Sequence, residues 1–340
     1  ISSLQSIARG YNEFRIGKQK KKDVAIFQND LVTNLAKLHL LLVTRTYQPG
    51  AYIQFYVRDP KLRLIHKAEV ADRVVHHIVS RELEPIFEPV FYAHSYSCRK
   101  NKGTHKGVLA LRKLAVKESR NNQRTCWALK CDIKKFFASV NHKILFEIIE
   151  RRIKDEDFLD LLQKIIDSFS SDKTINVNDK KGIPIGNLTS QFFSNIYMNE
   201  LDQFVKHTLK IKYYIRYADD FVFLSHKRSY LESLVDPVKE FTREKLNLEV
   251  HPQKIILNKF ATGIDFLGYV VFPSHILPRS KTKKRMLRKI KEKIREYRMG
   301  KITKERLDQT IQSYIGYLTH ANAYTFKQEL ENLIWFWLTE

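Results

Sequence analysis

Two adjacent aspartates, Asp219 and Asp220, lie near the middle of the chain between two stretches of strand-forming residues, Tyr213–Tyr217 and 221–224. Aromatic and β-branched residues favour strands, so the pattern predicts a β-hairpin with both carboxylates at its turn. Two like charges in an apolar setting raise each other's pKa, and a bound divalent cation removes that cost. The pattern therefore indicates either an ordinary polar turn or a metal site.

The composition favours a folded protein with a polyanionic partner. The chain has 340 residues, a length sufficient for two or three subdomains. Hydrophobic residues make up 43% of it, which favours a folded chain. It carries 60 Lys and Arg against 37 Asp and Glu, a net charge of +23. Nucleic acid is the partner that such an excess favours, and a charged membrane surface is the alternative. No apolar run reaches the roughly 18 residues of a membrane span, and no signal peptide is visible, so we expect no membrane partner and a cytoplasmic location.

The three cysteines, Cys98, Cys126 and Cys131, form no CxxC pair. Their odd number argues against a disulfide framework and fits a reducing compartment. Buried free thiols are the favoured interpretation. The alternative is a zinc site built from Cys126, Cys131 and His142, although the spacing matches no common zinc pattern.

A third acid, Asp132, ends a predicted strand at Trp127–Asp132. Hairpin acids need a carboxylate on a neighbouring strand to complete a cage for two metal ions, and Asp132 is the best candidate. Phe137 follows it by five positions. An aromatic ring there can floor a nucleotide pocket beneath the sugar and exclude a ribose 2′-OH. The alternative for Phe137 is a purely structural place in the core.

A glycine-containing loop opens a predicted helix at residue 188. Gly186 permits close backbone approach to a ligand, and the polar Asn187, Thr189 and Ser190 are suited to cap the helix. Such a loop is a weak signal by itself. Its position between Asp132 and the Asp219-Asp220 pair makes it a strong one.

Over roughly residues 50–320 the chain resembles the reverse transcriptases. Residues 217–220 resemble their catalytic box, 132–137 the segment with the first acid and the steric gate, and 186–190 their glycine–serine motif. The resemblance implies an α+β fold of right-hand polymerase architecture, in which an antiparallel sheet packed on helices forms the palm. It predicts a helical N-terminal extension (1–50), fingers (51–125), a palm (126–275, with 140–185 partly a fingers insertion) and a helical thumb (276–340).

The resemblance also implies roles for individual residues. Two Mg²⁺ ions would be held by Asp132, Asp219, Asp220 and the backbone carbonyl of Ile133. The incoming deoxynucleotide would meet Lys61, Arg63, Arg99, Phe136, Phe137, Ile185, Gly186, Gln191 and Lys254. The template RNA and the primer or cDNA strand would meet Asn187, Ser190, Tyr217, Gly268, Tyr269, Lys284 and Arg288.

Local patterns predict most of the remaining elements. Strands are expected at 52–57 and 61–65, joined by a turn at Asp59-Pro60, and again at 248–250, 255–257 and 266–271. The N-terminal 45 residues are expected to be mostly helical. Further helices are expected at 69–84 (with Pro85 as the stop), 142–153, 158–169, 188–209, 229–246 and 281–298, followed by two more after residue 301.

Ile185 and Gln191 stand where group II intron and retroviral enzymes usually carry Gln and Pro. Together with residues 99–105 and 264–269, this departure resembles the reverse transcriptases of diversity-generating retroelements. Such enzymes copy a template-repeat RNA with errors opposite adenine and work with a basic, pentameric accessory variability protein. An apolar Ile185 cannot hydrogen-bond to the incoming nucleotide. A loss of about 1–3 kcal/mol of selective contact corresponds to roughly 10- to 100-fold in fidelity.

Two other functions are compatible with these motifs. One is a group II intron-like or phage-defence reverse transcriptase. The other is a catalytically idle polymerase fold that serves as an RNA-binding scaffold, which the presence of all three acids disfavours.

Overall fold

The computed structural model describes residues 1–58, 61–171 and 180–339. The predicted turn at Asp59-Pro60 lies outside the described residues. No helix among those described combines the length and the apolar composition needed to cross a membrane.

A four-stranded antiparallel sheet lies at the centre of the molecule, with strand order β4-β5-β3-β6. Its strands are β3 (Trp127–Asp132), β4 (Tyr213–Tyr217), β5 (Asp220–Ser225) and β6 (Ile256–Lys259). Two smaller antiparallel sheets accompany it. One is the hairpin of β1 (Ile53–Arg58) and β2 (Leu62–Lys67), and the other contains β7 (Ile264–Phe266), β8 (Tyr269–Val271) and β9 (Ile276–Pro278).

The helices are α1 (Leu4–Arg15), α2 (Lys22–Asn29), α3 (Leu31–Val43), α4 (Val70–Phe87), α5 (Thr104–Glu118), α6 (Phe136–Ser139), α7 (His142–Glu150), α8 (Glu156–Asp167), α9 (Leu188–Gln203), α10 (Arg228–Ser233), α11 (Val235–Leu246), α12 (Ser280–Arg298), α13 (Lys304–Leu318) and α14 (Tyr324–Thr339). The N-terminal helices and the last three helices agree with the predictions. Helix α5 was not predicted.

The central sheet separates two cores because its side chains alternate between the two faces. Leu129 and Phe223 belong to the larger core, which also takes residues from α4, α7, α8, α9 and α11. Ala128 and Val222 belong to a second core, completed by α5 and the β7–β9 sheet. Helices α12 to α14 form a third core around Met286 and Ile290.

Cys131 lies in the larger core and Cys126 in the second. Cys126 and Cys131 are thus the predicted buried free thiols, whereas Cys98 is free but exposed, and the alternative zinc site does not form. Burial raises the pKa of the Cys126 and Cys131 thiols to about 12.

Several predicted boundaries are wrong. Helix α4 continues through Pro85 to Phe87, which costs it only one hydrogen bond in its last turn. The helix predicted over 188–209 ends at Gln203, and a wider helical turn, Phe204–Thr208, follows. The helix predicted over 229–246 is two helices, because the ring of Pro237 conflicts with the carbonyl of Ser233, where α10 ends.

Two strand predictions also differ from the structure. The strand predicted over 266–271 is the hairpin of β7 and β8, turned at Leu267 and Gly268, whose φ angles are both positive (52° and 89°). The strand predicted over 248–250 is reduced to an isolated bridge between Val250 and Ile133.

Candidate active site

Three acidic residues lie at one end of the central sheet. The antiparallel register of β3 and β5 places Asp132 directly opposite Asp220. Asp219 occupies the two-residue turn between β4 and β5, and its carbonyl accepts a hydrogen bond of 3.1 Å from the N–H of Ile133. The two acidic segments are therefore held together by backbone pairing.

A buried ion pair supports this turn from beneath. Ala218 has a φ of +52°, which is costly for a residue with a Cβ. Arg216 donates a hydrogen bond of 3.0 Å to the Ala218 carbonyl and pairs through two nitrogens with Asp202. Both side chains of this pair are 0% exposed, and the Tyr214 hydroxyl also donates to Asp202. The strained turn is thus fixed by a completed polar network.

The environment of Asp219 and Asp220 disfavours their charged forms. Burial raises the pKa of Asp219, and the charge of Asp132 raises it further. Burial raises the pKa of Asp220 to about 6, against the lowering effect of Lys130. A cluster of buried acids with raised pKa values is typical of sites that bind a cation or perform catalysis.

Three cations surround the acids. The ammonium of Lys254 lies 2.5 Å from Asp132 Oδ1, and the ammonium of Lys130 lies 3.1 Å from Asp220 Oδ2. Arg63, on β2, lowers the pKa of Asp219 through its charge. Lys61 is exposed at the end of the same hairpin.

The donor set fits a hard divalent cation. The second oxygen of Asp220, Oδ1, is buried, and no group in the described ranges hydrogen-bonds to it. Carboxylate and carbonyl oxygens are the ligands that Mg²⁺ prefers. The described residues contain no group of three acidic, His or Cys side chains already arranged around one point. An ion bound here would take its remaining oxygen ligands from backbone carbonyls, water or a substrate phosphate.

The loop before α9 packs against the β1–β2 hairpin. The carbonyl of Ile185 accepts a hydrogen bond of 3.0 Å from the N–H of His66. Gly186 has a φ of +124°, and a Cβ there would lie 3.0 Å from the side chain of Ile65. Gly186 is thus required for this close approach, and Gln191 is exposed nearby in the first turn of α9.

The two phenylalanines after Asp132 have different environments. Phe136 is 2% exposed and lies in the larger core, which favours a structural role, and its contact with a nucleotide stays a prediction. Phe137 is only partly buried at the edge of that core, and its carbonyl accepts a hydrogen bond of 2.7 Å from the N–H of Ile183. Phe137 therefore remains the predicted steric gate.

Several predicted ligand-binding side chains are occupied or covered. The Arg99 side chain is 6% exposed, pairs with Glu88 and donates to the carbonyls of Tyr92 and Ser95, so it has no free donor face for a phosphate. Tyr269 is 0% exposed and donates to the Tyr317 carbonyl.

Two predicted template contacts lie at the start of α9. Asn187 and Ser190 are almost completely buried, and Asn187 stands at the N-cap without a side-chain capping bond. Their contacts with a template strand stay predictions.

Other predicted contacts remain accessible. Tyr217 is partly exposed and accepts a hydrogen bond from Thr104. Gly268 lies at the β7–β8 turn, and Lys284 and Arg288 are exposed on α12. Their roles in binding a primer or template stay predictions.

Sequence reasoning missed Lys130 and Arg216. Lys130 could have been found from the period of the strand, because it stands two residues before Asp132 and so shares its face. Arg216 carries no such signal, since its partner Asp202 lies on a different element.

Residues 58–271 match the sequence profile of the family described as reverse transcriptase (RNA-dependent DNA polymerase). Protein YkfC of Escherichia coli (strain K12) is 26% identical over 278 residues, which cover 72% of each chain. The group II intron-encoded protein LtrA of Lactococcus lactis subsp. cremoris is 23% identical over 289 residues, which cover 66% of this chain and 47% of LtrA. The chain thus spans about half the length of LtrA.

Among solved structures, apo telomerase from Candida tropicalis truncated from its C-terminal domain superposes with a TM-score of 0.51 at 12% identity. The superposition covers 73% of this chain and 60% of that one. At this identity the likeness concerns the fold. It confirms the predicted α+β class with a right-hand polymerase architecture.

Proposed function

Since the chain belongs to the reverse transcriptase family, with more than half of its length in the family match, we propose that it synthesises DNA on an RNA template by two-metal-ion nucleotidyl transfer. The observation that carries the proposal is the strand register, which sets Asp132 opposite Asp220 and beside the Asp219 turn. The division into fingers (51–125), palm (126–275) and thumb (276–340) is part of the proposal.

Asp132, Asp219, Asp220 and the Ile133 carbonyl would hold two Mg²⁺ ions, and the buried free oxygen of Asp220 supports that assignment. When bound, the ions lower the pKa of the primer 3′-OH and neutralise the triphosphate. Lys61 and Arg63 bind phosphate oxygens from the β1–β2 hairpin. Lys254, whose ammonium lies at the edge of the acid cluster, supplies positive charge and a proton to the departing pyrophosphate.

The template RNA and the growing cDNA strand lie along the basic face of α12, where Lys284 and Arg288 contact phosphates. The net charge of +23 supports a polyanionic partner. Gly268, at the β7–β8 turn, lets the backbone approach the primer closely.

Replacing Phe137 with alanine is expected to raise ribonucleotide incorporation relative to deoxynucleotide incorporation by roughly 10- to 100-fold, because the ring that excludes the 2′-OH is removed. The measurement is the ratio of kcat/KM for matched ribo- and deoxynucleoside triphosphates on one template–primer.

Phe136→Ala is the matched control. Because Phe136 is buried in the core, its truncation should lower the free energy of unfolding by about 3–5 kcal/mol and leave sugar selectivity unchanged. A Phe137→Ala enzyme that still rejects ribonucleotides as the wild type does would remove Phe137 from the proposed site.

We place the enzyme in the diversity-generating retroelement branch, as a polymerase that copies a template-repeat RNA with errors opposite adenine and acts with a pentameric basic accessory protein. The support is Ile185, whose carbonyl is fixed by His66 at the loop before α9 while its apolar side chain is partly exposed. A side chain at this place meets the nucleotide without offering a hydrogen bond.

Ile185→Gln is expected to lower misincorporation opposite template adenine by roughly 10-fold, because a polar side chain restores a selective contact. Sequencing of cDNA made on one RNA template measures the error at each base. Ile185→Leu keeps the apolar character and should keep the wild-type error rate. An unchanged error rate in the Gln variant would rule this account out.

A group II intron-like reverse transcriptase is the second candidate, favoured by the similarity to LtrA over 66% of this chain. The genomic neighbourhood separates the two. A template repeat with a matching variable repeat supports the retroelement branch, and a flanking intron RNA supports the other.

A further inference from the structure

Lys130 lies on β3 two residues before Asp132 and diagonally across from Asp220 on β5. Side chains at such diagonal positions of an antiparallel pair share one face and can reach each other. Lys130 and Asp220 do so, with 3.1 Å between the ammonium and Oδ2. The ion pair therefore follows from the strand register.

The Lys130 ammonium is enclosed by two further groups. It donates a hydrogen bond of 3.0 Å to the backbone carbonyl of Asp265 on β7, and it lies 6.0 Å from the centre of the Phe266 ring. Its side chain is 17% exposed, and that of Asp220 is 20% exposed. Lys254, the cation beside Asp132, is more open to solvent, at 38%. Lys130 is thus the better fixed of the two ammonium groups.

The two oxygens of the Asp220 carboxylate have different environments. Oδ2 is engaged by Lys130, whereas Oδ1 is buried and has no hydrogen-bond partner in the described part of the chain. A carboxylate held by one oxygen cannot rotate freely, so the other oxygen keeps a fixed direction.

The same ammonium joins two sheets. Asp265, whose carbonyl it binds, also pairs through its carboxylate with Arg279, and the Arg279 N–H donates to the Gly268 carbonyl just before α12 begins. A continuous set of contacts thus links Asp220 to the β7–β8 turn and the start of α12.

We propose that Lys130 is a positioning residue for nucleotidyl transfer, which holds Asp220 by Oδ2 and fixes its distance to the sheet that carries the primer-binding turn. The inference rests on the proposed polymerase function. Lys130 touches neither substrate nor metal in this role. It neutralises part of the acid cluster and sets the direction of Oδ1.

A double-mutant cycle with Lys130→Met and Asp220→Asn tests the coupling. Lys130→Met keeps the length of the stem and removes the charge. It should lower kcat by roughly 10- to 100-fold with little change in the KM for the deoxynucleotide, because the carboxylate is displaced while the nucleotide site is intact. Added to Asp220→Asn, it should cause little further loss.

Two variants complete the activity series. Lys130→Arg, which can reach the same oxygen, should recover most of the activity. Lys327→Met is the matched control, since Lys327 forms an exposed pair with Glu331 on α14 and its loss should leave kcat within about 2-fold of the wild type.

Mn²⁺ binding to the protein without nucleic acid, followed by electron paramagnetic resonance, gives a readout independent of synthesis. Loss of the Lys130 charge should tighten Mn²⁺ binding by roughly 3- to 10-fold, because the acid cluster loses a neutralising cation. The tightening should vanish in the Asp220→Asn background.

If Lys130→Met keeps the Mn²⁺ affinity and the kcat of the wild type, the proposal is overturned. It is also overturned if Lys130→Met lowers kcat by the same factor in the wild-type and the Asp220→Asn backgrounds. If Lys130→Met does not fold, the Lys130→Arg variant is the test. Arginine keeps the positive charge but has a different shape, so a lysine needed only for packing would not tolerate the change. Retained Mn²⁺ affinity in Lys130→Arg therefore supports the proposal, and its loss overturns it. A wild-type protein that makes no DNA refutes the polymerase function, and the Mn²⁺ cycle still tests Lys130.

Discussion

Asp219→Asn should abolish DNA synthesis and leave the affinity for an RNA template–primer unchanged. Asparagine has the size of aspartate but cannot hold a divalent cation as a carboxylate does. We expect kcat to fall by about 10³-fold or more, which corresponds to about 4 kcal/mol of transition-state stabilisation. Primer extension measures the rate, and fluorescence anisotropy at fixed salt measures the affinity for the nucleic acid.

The melting temperature of Asp219→Asn shows whether its loss of synthesis is caused by unfolding. The pKa of Asp219 is raised in the folded chain, so its ionised form disfavours folding above that pKa, and stability rises as the pH falls toward it. The neutral variant should therefore melt at the same or a higher temperature than the wild type in metal-free buffer at neutral pH. Retained synthesis in Asp219→Asn would favour a different set of catalytic groups. Absence of synthesis in the wild type under all template, primer and accessory conditions would favour the RNA-binding scaffold.

Arg216→Met should cause a large loss of stability. Arg216 and Asp202 are both 0% exposed, and removing the arginine leaves a buried carboxylate without its counter-charge. Breaking one side of such a pair costs about 3–5 kcal/mol of unfolding free energy. Urea unfolding followed by circular dichroism measures the change. Activity should fall as well, because the Ala218 carbonyl loses its donor beside Asp219.

Two further variants test whether the loss of stability comes from the buried, uncompensated charge of Asp202. Arg216→Met combined with Asp202→Asn should regain part of the stability, because the uncompensated charge is gone, and should remain impaired in synthesis. Arg9→Met breaks an exposed pair with Glu13 and should change the unfolding free energy by less than about 1 kcal/mol. Similar losses in Arg9→Met and Arg216→Met would contradict the assigned role of burial.

The strand and helix patterns were informative where one face of an element is buried. The alternation of Trp127–Asp132 and the apolar residues around Asp219-Asp220 placed β3, β4 and β5 correctly. The helical spacing of Met286, Ile290 and Ile294 placed α12, whose buried stripe these residues form. Such periods are local, so they can be read without knowledge of the partner element.

Side-chain availability could not be read in the same way. Arg99, Ser190 and Tyr269 stand within recognisable motifs, yet each is buried by elements distant in sequence or engaged by a neighbouring group. Whether an arginine faces a substrate or a glutamate depends on which elements pack around it. Motif position alone therefore does not show whether a side chain is free to bind a ligand.

The sequence by itself determined which acids could act together, because a strand ending in Asp132 and a hairpin turning at Asp219 are local features of the chain. Only the tertiary structure decided which cations neutralise the charge of those acids and how their carboxylates are oriented. The register of β3 against β5 is a non-local pairing, and it alone brings Lys130 to Asp220. The burial of Arg216 with Asp202 likewise depends on α9 packing beneath the hairpin. Charge balance is set by distances between segments that are far apart along the chain, and no local pattern encodes those distances.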